Sequence, residues 1–278
     1  MAAALLSGCS AVRLAYNQSP TLAYWWLDGY VDFNDAQTPR VRAALEDWLA
    51  WHRRTQLTDY VSLLRQGEAE VMVEATPERA CEWWSDTSRR VEVLIDRTVP
   101  AATDIALSLT PAQVDHIEQR YAKFNAEFRD DYLQPDPAER LQASVDRAVE
   151  RAETLYGRLD NAQRKNVARM VAASPFDADV WFAERRQRQQ DALQMLRRFR
   201  AENANREQAQ AALRSYFDHV MHSPREAYRR YADNLVRYNC EFTARLHNST
   251  TESQRKVALQ KLKGWEADLR ALAIDTAM

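Results

Sequence analysis

The sequence predicts an all-α fold, a bundle of about ten helices with several long ones. Three observations lead there. Seven of the nine prolines directly follow Ser, Thr or Asp, which is the punctuation of helix starts. Glycine is scarce, at 5 of 278 residues, too few for the many tight turns of a β-sandwich. Apolar residues recur at intervals of three and four, and no segment sustains an alternation of period two.

The Ser/Thr/Asp-Pro pairs are Ser19-Pro20, Thr38-Pro39, Thr76-Pro77, Thr110-Pro111, Asp136-Pro137, Ser174-Pro175 and Ser223-Pro224. At such a start the side-chain oxygen accepts an orphan backbone N–H, and proline at the first helical position loses no bond. From Thr110 to Gln113, Asp136 to Glu139 and Ser223 to Glu226, a Gln or Glu three residues on completes a capping box. Asp160 to Gln163 and Thr251 to Gln254 repeat the pattern without proline. These marks place helices at about 20–33, 39–73, 77–98, 111–133, 137–156, 161–173, 175–202, 205–221, 224–247 and 252–273. The stretch Ala183 to Asp191, AERRQRQQD, has no apolar stripe and is expected to project into solvent or meet another chain.

With 38 Lys plus Arg against 40 Asp plus Glu, the formal charge is -2, which leaves no global field to gather phosphates; nucleic acid is not expected as a partner. The chain is 46% hydrophobic and 10% aromatic, too apolar for wholesale disorder. A mean hydropathy of -0.60 argues against a membrane-spanning helix. Neither GxGxxG nor GxxxxGK occurs, so nucleotide binding through either glycine loop is excluded.

The opening Leu6-Ser7-Gly8-Cys9 resembles a bacterial lipobox. That resemblance implies cleavage before Cys9, acylation of Cys9 and anchoring in a membrane through its lipid. The full gene is then expected to encode a basic and apolar stretch upstream. Residues 1–8 read as a signal-peptide remnant, 9–20 as a lipidated tether and 21–278 as a single helical domain, with the weakest seam near Ser174-Pro175. Ser10 resembles the residue that permits transfer to the outer membrane. With Cys9 committed to lipid, Cys81 and Cys240 remain as an even pair in an oxidising compartment, and a disulfide between them is expected.

The run from Leu6 to Arg53, CEWW at Cys81 to Trp84, FRDDYL at Phe128 to Leu133 and LHNSTTESQR at Leu246 to Arg255 together resemble a family of proteobacterial lipoproteins of unknown function. The resemblance implies location and a helical fold and carries over no active site. A weaker likeness is to the Spy and CpxP type of periplasmic proteins, helical cradles with an LTxxQ motif. Leu109-Thr110-Pro111-Ala112-Gln113 fits that motif, while Leu159 to Gln163 and Thr250 to Gln254 each depart from it at one position. LTxxQ is also what a hydrophobic residue ahead of a capping box looks like.

Eight tryptophans fall largely in close sets. Trp25, Trp26, Trp83 and Trp84 are the candidate binding surface, with core packing as the plainer account of such pairs. His219 and His222 beside Asp218 lack a further ligand, and no metal or other cofactor is expected. Glu127, Asp130 and Asp131 could pair as glycosidase acids, but a charged helix face explains them more simply. No catalytic residue is assigned. The expected role is a non-enzymatic envelope lipoprotein that binds a protein client or assembly partner on the periplasmic side. The alternatives are a peptidoglycan-acting enzyme using paired carboxylates and a passive membrane-tethering scaffold.

Overall fold

A computed structural model of the chain describes residues 11–274. Eleven helices make up its fold: α1 (Ala11–Val31), α2 (Thr38–Thr55), α3 (Leu57–Glu70), α4 (Pro77–Ser108), α5 (Pro111–Tyr132), α6 (Pro137–Tyr156), α7 (Asn161–Ala172), α8 (Ala178–Ala201), α9 (Arg206–Met221), α10 (Glu226–Asn248) and α11 (Glu252–Ile274). No strand occurs among the described residues.

The starts of α4, α5 and α7 follow the sequence marks. Thr76 accepts from the Arg79 N–H, and full reciprocal capping boxes form at Thr110/Gln113 and Asp160/Gln163. Asn205/Gln208 forms a further box at α9 that the sequence reading did not single out. Several expectations change. Pro20 lies inside α1, which begins at Ala11, so the residues read as a tether are helical from there. Asp136 accepts from Ala138, one residue short of the expected box. Past Ser174-Pro175 the helix waits until Ala178, where Asp177 is the cap. The segment read as one helix over 39–73 breaks at Gln56 into α2 and α3, each of which buries a core residue, Val41 and Leu57, both 1% exposed.

Helix α4 also overruns its expected end at residue 98, continuing through Pro100 to Ser108. A proline inside a helix costs about 3 kcal/mol. Here the surrounding packing outweighs it, because α4 is the central element, lying against α2, α8, α9 and α10. Val99 and Thr103 on its inner face are fully buried, and the Thr103 hydroxyl donates to the Val99 carbonyl.

The glutamines of the capping boxes act beyond their own helices. Gln37, whose carbonyl oxygen accepts from the Asn34 N–H ahead of α2, exchanges amide hydrogen bonds with Gln113 of the α5 box. Gln113 also donates to the Asp32 carbonyl, and Gln37 to that of Ser108. At another point in the fold Gln163 and Gln254 make the same exchange, and donate to the carbonyls of Ser249 and Arg158 respectively. Two helix starts are thereby locked face to face at each place, and Gln37, Gln113 and Gln163 are buried with their amides satisfied.

Core clusters knit sequence-distant helices together. Val145, Val149, Val167 and Met170 of α6 and α7 meet Leu246 of α10. Val99 of α4 meets Phe199, Ala209 and Leu213 of α8 and α9. Contacts of α3 with α11 and of α4 with α9 and α10 run across residue 174. Beside the first cluster, His247 bridges Tyr156, whose hydroxyl lies 2.8 Å from Nδ1, and the Val73 carbonyl, 2.7 Å from Nε2. Burial pushes the His247 pKa down, so the neutral ring donates to Val73 through Nε2 and accepts from Tyr156 through Nδ1.

Gly157 closes α6 at φ +74° and ψ -168°, a region that L side chains rarely enter. An added Cβ would meet Val257 Cγ1 at 3.6 Å, an ordinary contact, so the strain is in the backbone alone. Gly157→Ala is therefore expected to lower stability by about 1–3 kcal/mol, read from urea unfolding. An unchanged midpoint would refute this.

Candidate functional site

A cleft with a volume of about 440 Å³ is formed where α1, α5, α8, α9 and α10 converge. Its floor comes from α8: Trp181, Glu184, Arg185, Arg188 and Gln189 follow one another at the spacing of a single helix face. Trp26, Leu27, Tyr30 and Val31 of α1 line one wall, and Ile117 and Tyr121 of α5 continue it. Tyr216 and Val220 of α9 and Tyr228 of α10 complete the lining. The run AERRQRQQD, expected to project into solvent or meet another chain, supplies most of the floor. Its inward stripe is polar, which is why no apolar pattern betrayed it.

Glu184 is the anchor of that floor. Its side chain is 4% exposed, yet its carboxylate accepts from Arg225 Nε at 2.7 Å, Arg225 Nη2 at 3.0 Å, the Ser223 hydroxyl at 2.9 Å and Arg188 Nε at 3.1 Å. Burial opposes ionisation, but the donors from Arg225, Ser223 and Arg188 outweigh it and hold the carboxyl below its ordinary value. Arg225 also reaches Asp191 at 3.2 Å. Ser223 does not cap α10 as expected: its hydroxyl donates to Glu184 and accepts the Arg225 N–H at 3.3 Å, so the helix begins only at Glu226, with Arg225 in the cap position and without a side-chain bond.

The other floor residues are similarly held. Arg185 Nε and the Gln189 amide both donate to Asn125 Oδ1 at 3.1 Å, and Asn125 returns a bond to Gln189 at 2.7 Å. The Arg188 guanidinium lies 5.3 Å from the Tyr228 ring centre, and that of Arg185 lies 5.9 Å from Trp181. On the wall Trp26 packs on Tyr30 at 4.8 Å, and Tyr30 stacks on Phe124 at 4.9 Å. Burial pushes the phenol pKa values of Tyr30, Tyr121, Tyr216 and Tyr228 upward, so all four hydroxyls are protonated at neutral pH. A cleft of fixed aromatic faces with two arginines in its floor is suited to grip a segment that carries both apolar and hydrogen-bonding groups.

The structure separates the four tryptophans singled out in the sequence. Trp26 stands at the cleft and Trp25 beside it faces solvent at 61% exposure. Trp83 belongs to the fold: its indole N–H donates to Glu70 at 2.9 Å, and its ring packs over Gly67 of α3. Trp84 is exposed at the start of α4, and no ring contact links it to the α1 pair among the described residues. Cys81 and Cys240 join α4 to α10 with their sulfurs 2.01 Å apart and their Cα atoms 5.3 Å apart. Cys9 lies outside the described residues.

Glu127, Asp130 and Asp131 are all exposed on α5. His222 contacts Asp218 at 3.3 Å, also at the surface. No cluster of three or more His, Cys, Asp or Glu positioned for a metal occurs among the described residues, and none of their helices is long and apolar enough to cross a membrane.

No curated protein and no solved structure matches the chain. A family model described as a family of unknown function, DUF6279, matches residues 29–214, from the last turn of α1 into α9. That span takes in the whole α8 floor and the α5 wall of the cleft, leaving Trp25, Trp26, Tyr228 and Cys240 outside it. Because the match covers well over half of its length, the chain belongs to the DUF6279 family.

Proposed function

We propose that this protein is a lipid-anchored component of the bacterial cell envelope, held through Cys9 in the outer membrane and facing the periplasm, and that its helical fold binds a segment of a protein client or assembly partner in the α8 cleft. The carrying observation is the cleft itself, with six aromatic rings around a floor whose charged groups are already fixed by protein partners. Fixed donors bind without the entropy cost of ordering them first. The resemblance of the N-terminus to a lipobox, and of the capping-box helices to the Spy and CpxP cradles, supports the same reading. The peptidoglycan-acting alternative is less well served. The lining carboxylate, Glu184, is held ionised by Arg225, whereas a glycosidase acid needs a raised pKa.

The test is photocrosslinking in intact cells from a probe placed at Tyr228. It is expected to yield a discrete adduct that is lost in Trp181→Ala and is not formed by a probe at the exposed Glu207. Mass spectrometry of the membrane fraction is expected to show acylated Cys9. Adducts that survive loss of Trp181, or none at all, would overturn the cleft as a binding site and favour a passive tether. An unacylated soluble chain would overturn the anchor.

A further inference from the structure

Helix α1 leaves one of its faces uncovered. Leu14, Gln18, Leu22, Trp25 and Gly29 are spaced by four, four, three and four positions, which places them along a single line, and all are exposed. Leu14 is 60%, Leu22 51% and Trp25 61% exposed, with Trp26 at 62% on the edge of the stripe. The opposite face holds the helix to the fold: Tyr24 is buried against the Thr38 hydroxyl, and Tyr16 bonds His52 at 2.8 Å.

No exposed residue of α1 carries a charge. Arg13 is partly covered and pairs with Asp268 at 3.4 Å, and Asp28 accepts the Phe33 N–H at 3.0 Å. A helix that faces water ordinarily carries charge there, as α10 does with Glu226, Arg230, Glu241 and Arg245 and α11 with Glu252 and Lys256. Other helices carry large exposed apolar side chains too, Trp84, Val91 and Val93 on α4 and Val257 and Trp265 on α11, but α1 carries five, Val12, Leu14, Leu22, Trp25 and Trp26.

We infer that this face of α1 lies in the headgroup region of a lipid bilayer. Indole suits that zone because its ring is apolar and its N–H finds an acceptor there, and leucines on the same line extend toward the acyl chains. From Leu14 to Trp26 the stripe runs about 18 Å along the helix axis, enough to lie flat in the interface. The expected anchor points the same way: Cys9, the residue expected to carry lipid, stands in the sequence two positions before Ala11, the first residue of α1. To that extent the inference rests on the proposed lipid anchor. Because the face is uncharged, its attraction is to lipid as such and not to anionic headgroups. Trp26 belongs both to the stripe and to the cleft wall, so docking brings the mouth of the cleft beside the bilayer, where a client segment emerging from the membrane would meet it.

The full chain, coupled through the Cys9 thiol to maleimide lipid in phosphatidylcholine vesicles, provides the test. Brominated acyl chains are expected to quench its tryptophan fluorescence, and most of that quenching is expected to be lost in Trp25→Ser/Trp26→Ser. Leu14→Ser/Leu22→Ser keeps every tryptophan and is expected to reduce quenching as well, with helicity by circular dichroism unchanged in both variants. Adding anionic lipid or salt is expected to leave the signal as it is. Equal quenching in all three proteins, or none in the unmodified chain, would overturn the inference, as would a self-associated form that shields Trp25 without vesicles. Quenching of the coupled protein together with an unacylated Cys9 in cells would preserve the membrane face while ending the lipoprotein reading; acylation without quenching would do the reverse.

Discussion

Replacing Cys81 with serine is expected to lower the stability of the oxidised protein by about 4–5 kcal/mol, the largest effect of any single side chain considered. The bond closes a loop of 159 positions, from the first turns of α4 to the middle of α10. Constraining a loop that long removes much of the freedom of the unfolded chain, and the chain-entropy relation puts the gain near the top of its range. The folded state gives little of it back, because α4 and α10 pack along one another and hold the two Cα atoms 5.3 Å apart. Urea unfolding of the oxidised protein, the reduced protein and Cys81→Ser should place the last two together and well below the first. On a gel the unreduced protein should run ahead of the reduced form, with the difference absent in Cys81→Ser. Coincident unfolding of all three would refute the bond's contribution.

The local grammar of the fold was legible in the sequence. Thr110, Asp160 and Thr251 announce helix starts because a capping box is satisfied within four residues, and nothing distant has to be known to recognise it. What lies between the boxes was not. The pairing of Gln37 with Gln113 and of Gln163 with Gln254 depends on two starts meeting in space across 76 and 91 positions. Pro20 reads as a helix start, and the helix expected over 77–98 stops ahead of Pro100, since propensity penalises proline inside a helix locally, while the packing that overrides the penalty is tertiary. The cleft was the least visible part. Trp26 was noticed, but the floor of α8 looked like a solvated charged helix because charge normally marks an outer face. The spacing of Trp181, Glu184, Arg185, Arg188 and Gln189 was present in the sequence as a one-sided stripe. Its inward direction became apparent only with Ser223 and Arg225, roughly forty residues further on, aligned to receive Glu184.

That arrangement makes a second large effect expected. Arg225→Met should cost about 3 kcal/mol, the lower end for a broken buried pair because the Arg225 side chain is one-third exposed. The loss comes less from the missing attraction than from Glu184, whose 4% exposed carboxylate would keep only Ser223 and Arg188 as donors. Glu184→Leu combined with Arg225→Met removes both charges and should recover most of the stability, since apolar replacements of a buried pair are often neutral. Acidity separates the two states further. In the unmodified protein the Glu184 pKa is depressed, so its contribution is complete above the ordinary carboxylate value of about 4.3 and is lost as pH falls through the lower folded value. In Arg225→Met burial dominates and raises that pKa, so protonation favours the folded state and stability relative to the unmodified chain improves as pH falls. Urea midpoints of the two proteins should therefore converge on acidification. A gap that stays constant from neutral pH to below the carboxylate range would mean that Glu184 is not the group left stranded.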